Sequence, residues 1–174
     1  MKNILSLAFL FSSVLSFAVG YDIKAYISNT ATDTMYLGYY YADKQYLRDT
    51  AIKKDGYFQF KKDRDLEPGI YLLVMPPKND FIQIFVNKGE SSLVIKADAN
   101  EIVKTIKIQG SQDNQTFYDY LNFLEIQRPK AQALNEKLKG ADENDKTKIQ
   151  AELDLINKSV KEKQKDIVSQ LPSG

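Results

Sequence analysis

Over residues 21–109 apolar and polar positions alternate with a period of two, in short runs separated by turn residues. Ile23, Ala25 and Ile27 alternate with polar partners. Met35, Leu37, Tyr39 and Tyr41 alternate with Thr34, Tyr36, Gly38 and Tyr40. Runs at 46–54, 57–61, 69–75, 81–86, 91–97 and 105–109 also read as strands, being rich in Tyr, Phe, Ile and Val, which suit a pleated, half-buried surface. Asp55-Gly56 is the two-residue hairpin signal, because a type I′ turn needs positive φ at both central residues. Pro68-Gly69, Pro76-Pro77, Asn87-Lys88-Gly89 and residues 98–100 mark the other breaks. Short strands at such spacing predict an antiparallel β-sandwich-like domain.

Beyond Gly110 the period becomes helical. Phe117, Tyr120, Leu121, Leu124, Ala131, Leu134 and Leu138 recur at three- and four-residue steps. Gly110 lets the last strand turn, and Ser111, Asp113 or Asn114 supplies side-chain oxygens to cap the helix that follows. Gly140 ends that helix and Asp142 caps the next. Pro129 predicts a kink or break in the first helix, since it removes one backbone hydrogen bond. Ile149, Leu153, Ile156, Val160, Ile167 and Leu171 form a narrow apolar seam on a charged second helix. A seam of that width packs on one other helix, either the first one or that of a partner. The fold expected is therefore mainly β: an antiparallel β-sandwich-like domain at 21–110, then a C-terminal α-helical hairpin at 111–174.

The front of the chain adds an address. Lys2 precedes an apolar stretch at 4–19, and Ala18-Val19-Gly20 has small residues where a signal peptidase reads. Residues 1–20 are expected to be a signal peptide, with cleavage before Tyr21 or after Ala18. The protein is then exported, to the periplasm or cell envelope, with no membrane span left after cleavage. The whole chain holds 24 basic and 23 acidic residues. A balance so close to neutral does not provide the field that nucleic acid binding demands.

Composition also restricts the chemistry. The chain has no His and no Cys, so it builds no Ser-His-Asp triad, no thiolate nucleophile and no ordinary zinc cluster. Asp43, Asp49, Asp55, Asp63 and Asp65 are the carboxylates a hydrolase would have to use, and they fall near predicted turns, where Asp is ordinary. No catalytic residue, cofactor site or metal site is expected. The sharper feature is aromatic: Tyr36, Tyr39, Tyr40, Tyr41 and Tyr46 lie in one predicted hairpin. Alternation sends Tyr39 and Tyr41 to one face and Tyr36 and Tyr40 to the other. Such rings either stack on a glycan or peptide ligand or pack across strands.

Four segments in fixed order carry a family likeness: Asp49-Thr50-Ala51, Asp55-Gly56-Tyr57-Phe58-Gln59-Phe60, Leu66-Glu67-Pro68-Gly69-Ile70-Tyr71, and the run from Gly110 through Ser111 and Asn114 to Phe117. Together they resemble the N-terminal domain of unknown function that precedes thioredoxin-like domains in exported bacterial thiol-disulfide interchange proteins. The resemblance implies a non-catalytic accessory module that positions a redox domain, with the C-terminal helices as the linker or the surface that meets it. The CxxC chemistry of that redox domain maps to no residue of this cysteine-free chain. The alternatives from the residues themselves are a ligand-binding module built on the tyrosine hairpin and, last, a carboxylate-dependent hydrolase.

Overall fold

The structure is a computed structural model that describes residues 20–90 and 92–170. The expected leader, Gly20 apart, and Leu171 of the helical seam lie outside the described residues.

Among the described residues, eight strands form two four-stranded sheets packed face to face. Sheet A has the order β4-β1-β7-β8 and sheet B the order β3-β2-β5-β6. The strands are β1 (Asp22–Ser28), β2 (Thr34–Tyr41), β3 (Lys44–Ile52), β4 (Phe58–Lys61), β5 (Gly69–Met75), β6 (Asp80–Val86), β7 (Ser92–Asp98) and β8 (Lys107–Gln109). Neighbours run antiparallel except β1 and β7, which are parallel with Ile23 beside Leu93 and Ala25 beside Ile95. Period two places one side of each strand inward. Ile23, Ala25, Ile27, Met35, Leu37, Phe58, Phe60, Leu73, Ile82, Ile84, Leu93 and Ile95 are almost fully buried between the sheets.

Asp55-Gly56 forms the expected tight turn. Lys54 and Tyr57 exchange backbone hydrogen bonds of 2.9 and 3.1 Å, and φ is +51° at Asp55 and +84° at Gly56. The turn has a larger role than closing a hairpin, because β3 belongs to sheet B and β4 to sheet A. It is the corner where the chain changes sheet. One β-bulge was not legible in the alternation: Leu37 pairs with Asp49 and Gly38 with Leu47, so Arg48 is the extra residue. The run at 105–109 is strand only from Lys107, preceded by a helical turn, α1 (Ile102–Thr105). The Thr105 hydroxyl holds that turn by accepting from the Asp98 N–H and donating to the Glu101 carbonyl.

Two long helices follow, α2 (Gln112–Lys139) and α3 (Glu143–Gln170). Of the kink or break expected at Pro129, the break does not occur, since α2 runs through it. One missing hydrogen bond in a helix about 42 Å long is outweighed by the packing of α3 along it. Asp142 caps α3 as expected, its Oδ1 accepting from the Asp145 N–H at 2.9 Å. Leu153 is the buried centre of the seam, and Gln164 donates to the Tyr120 hydroxyl at 2.7 Å. That contact brings the C-terminal turns of α3 back beside the N-terminal half of α2. No helix among the described residues is long and apolar enough to cross a membrane.

The join between helix and sandwich is made by side chains acting as a strand. β6 and β8 are edge strands of their sheets, and an edge leaves backbone groups unpaired. Asn114 Oδ1 accepts from the Phe85 N–H at 2.8 Å while its Nδ2 donates to the Phe85 carbonyl at 2.6 Å. One helical turn later the Tyr118 hydroxyl accepts from the Gln83 N–H and donates to the Gln83 carbonyl, both at 3.0 Å. Gln115 accepts from the Ile108 N–H of β8 at 2.7 Å. The start of α2 therefore closes both sheets along one side. The helix cap itself is Ser111, whose Oγ accepts from the Asn114 N–H at 3.4 Å. Asn114 does not act as the cap, because its amide is committed to β6. Gly110 has φ +94°, and a Cβ there would lie 2.1 Å from the Ser92 carbonyl oxygen, so only glycine fits beneath β7.

Candidate functional site

The five tyrosines of the β2–β3 hairpin divide between two surfaces. β2 faces inward at Met35 and Leu37, and the same side carries Tyr39 and Tyr41; the other carries Tyr36 and Tyr40. Register places Tyr46 opposite Tyr39, and Tyr71 of β5 on the far side of it. Tyr39 stacks on Tyr46 with centroids 5.7 Å apart and tilts against Tyr71 at 6.1 Å; Tyr41 meets Tyr46 edge-on at 6.4 Å. These four rings form a ladder at one end of the sandwich, where the inner face runs past the core. The Tyr71 hydroxyl donates to the Glu67 carbonyl at 2.9 Å and so fastens the Pro68-Gly69 turn against the ladder. Burial raises the pKa of Tyr71, which keeps its proton in place for that bond. A cleft of about 200 Å³ opens beside the ladder, walled by Tyr39, Tyr41, Arg48, Pro68 and Ile70.

The opposite surface is the outer face of sheet B. Tyr36 lies beside Val74 and Val74 beside Phe81; Leu47 lies beside Gly38 and Gly38 beside Leu72. Tyr40 accepts a hydrogen bond from Gln45 at 2.7 Å. Tyr40, Leu47, Ile70 and Phe81 are 45, 64, 41 and 52% exposed. On one flank the face continues onto α2, where Phe117 meets Phe85 edge-on at 5.0 Å. There a groove of about 810 Å³ runs between β6, α1 and α2, with Phe81, Ile102, Phe117 and Leu121 on its walls. Sequence reasoning singled out the tyrosines but not Leu47, Ile70 or Phe81. Their exposure follows from the order of strands in the sheet, which alternation alone does not fix.

Residues 21–117 match a family described as a domain of unknown function, DUF4369. The chain belongs to this family. No curated protein and no solved structure matches it. The DUF4369 match ends inside α2, three residues past Asn114, so it takes in the asparagine that ties the helix to β6.

Asp49 is engaged by the Tyr21 hydroxyl at 3.0 Å and by Lys62 at 3.4 Å. Burial, then the bond to Asp49 and its charge, push the Tyr21 pKa up to about 12. That pair ties the entry to β1 against β3. Asp55 sits in its turn, and Asp43, Asp63 and Asp65 are exposed. Among the described residues, no three carboxylates gather in a way that could hold a metal ion. Of the structural motif residues, Asp55 and Gly56 form a turn, Pro68 precedes β5 and Gly69 opens it, Gly110 turns the chain under β7, and Ser111 caps α2.

Proposed function

We propose that this DUF4369 chain is a non-catalytic interaction module of an exported envelope protein, presenting the outer face of sheet B to a thioredoxin-like redox domain. The observation that carries the reading is the apolar face of Tyr40, Leu47, Ile70 and Phe81, which the other described residues leave exposed. Exposed apolar side chains gathered on one sheet face, around the half-buried Tyr36 and Val74, are surface that a partner would cover. The lack of His and Cys fits a module whose partner supplies the chemistry. The return of α3 toward the start of α2 also fits, because a domain joined after α3 would emerge near the part of α2 that meets β6 and β8. The test is calorimetric titration of the purified protein with thioredoxin-like domains from the envelope of its host. One is expected to bind, and Leu47→Asp with Phe81→Asp to weaken it at least tenfold while circular dichroism is unchanged. No binding by any of them, or equal binding by the double variant, contradicts the proposal.

The tyrosine ladder favours a second reading, a small ligand-binding cleft for a glycan or peptide end. Tyr39 and Tyr41 offer aromatic surface, and Arg48 offers the donors that hold a carboxylate or hydroxyls. Tyr41→Ala would then abolish ligand binding and leave docking to sheet B intact.

A further inference from the structure

The outer face of sheet A has a different chemistry from that of sheet B. Outward positions on neighbouring strands fall into cross-strand rows. One row runs from Gln59 through Lys24 and Val94 to Gln109, and the next from Tyr26 through Lys96 to Lys107. Lys96 and Lys107 stand directly opposite each other on one face, an arrangement that costs stability through like-charge repulsion. Among the described residues no carboxylate pairs with Lys24, Lys96 or Lys107. The acids of this face stand at its two ends and are already engaged. Asp22 pairs with Lys61 and accepts from Gln59, and Asp98 accepts from Asn29 and from the Asn100 N–H.

Two tyrosines sit among these lysines. Tyr26 and Tyr57 pack with ring centroids 5.0 Å apart. Lys24 lies over the Tyr57 ring at 5.8 Å and Lys96 over the Tyr26 ring at 5.7 Å. The cations hold the rings in a fixed order, Lys24–Tyr57–Tyr26–Lys96, and a broad shallow depression opens beside Tyr26 and Lys96. The chain as a whole is nearly neutral, so this concentration of charge is local.

We infer that the outer face of sheet A binds an anionic polysaccharide, with Lys24, Lys96 and Lys107 meeting its acidic groups and the Tyr26 and Tyr57 hydroxyls meeting its sugar hydroxyls. The observations disfavour two other polyanions. Single-stranded nucleic acid stacks its bases on open aromatic faces, whereas here lysines lie over both rings. A membrane surface draws on Trp, Phe or Leu anchors beside the basic groups, and among these lysines the apolar groups are Val94 and two tyrosine rings that the lysines cover.

The probe is polygalacturonate, with neutral dextran as its uncharged counterpart, in affinity electrophoresis and calorimetry at low salt. Polygalacturonate is expected to retard and bind the wild-type protein, dextran not to, and added salt to weaken the binding. The variant Lys24→Gln/Lys96→Gln/Lys107→Gln should bind at least tenfold more weakly with an unchanged circular dichroism spectrum. Tyr26→Phe, which keeps the ring and the charges, should weaken binding by a smaller factor. The inference fails if the wild type shows no retardation, or if the triple variant binds as the wild type does. It also fails if a single-stranded oligonucleotide or phosphatidylglycerol vesicles bind more tightly than polygalacturonate.

Discussion

The two outer faces of this sandwich are built by the same strand periodicity and carry opposite chemistry. Inward, both sheets contribute the same kind of residue, mostly Ile, Leu, Met, Phe and Ala, which fill one common core. Outward, sheet B shows Tyr40, Leu47, Ile70 and Phe81, and sheet A shows Lys24, Lys96 and Lys107 around a tyrosine pair. A fold needs only one side of each strand to be apolar; the other side answers to solvent or to a partner. A merely soluble outer face would mix charges of both signs. On sheet A the acids Asp22 and Asp98 stand only at the ends of the face, and on sheet B apolar groups take the exposed positions, so each face departs from that mixture in its own direction.

The largest expected effect concerns the joint that limits the sheet B face. Asn114→Ala leaves the N–H and carbonyl of Phe85 without their partners, and each unpaired buried group costs about 1–3 kcal/mol. The variant should therefore lose about 2–6 kcal/mol in chemical denaturation and bind more of a hydrophobic dye, as Phe85 and Phe117 separate. Equal stability would mean that α2 does not hold the β6 edge.

Next in size is a dependence on alkaline pH. Burial, offset in part by its bond to the Gln83 backbone, pushes the Tyr118 pKa up to about 12, and Tyr21 is raised to about 12 as well. Both folded-state values lie above the unfolded value near 10. The unfolded chain therefore ionises first, and stability present below about pH 10 is lost as pH rises towards 12. Denaturation midpoints should fall over that window, less steeply in Tyr118→Phe. A flat profile there would argue that both hydroxyls are free to ionise in the folded protein.

The smallest effect sharpens the contrast most. Lys107→Glu replaces repulsion opposite Lys96 by attraction and should raise stability by roughly 0.2–1 kcal/mol. A lysine row kept for binding is expected to leave stability unclaimed in this way. A destabilised Lys107→Glu would show that the row is structural.

Most of the framework was legible because it is local. Alternation located eight strand segments, Asp55-Gly56 announced its turn through required φ, and Ser111 announced its helix through a free hydroxyl. What escaped was whatever depends on a distant partner. The alternation of β1 is the same whether it pairs with β7 in parallel or with another strand antiparallel. Arg48 looks like any strand residue until register makes it the bulge. Asn114 looked like a cap, since nothing in the sequence says that β6 passes within reach of its amide. The candidate site divides in the same way. The tyrosines were visible as a cluster and their faces followed from parity, but Leu47, Ile70 and Phe81 join them only through strand order, and Lys96 meets Lys107 only through register.

The separation of the two faces can be measured directly by nuclear magnetic resonance on the ¹⁵N-labelled protein, titrated with a thioredoxin-like domain from the envelope of its host. Amide shifts should move at Tyr40, Leu47, Ile70, Phe81 and Phe85, with Lys24, Lys96 and Lys107 unmoved. Shifts centred on sheet A, or no shifts on sheet B with any such domain, would contradict the assignment of the apolar face as the protein-binding surface.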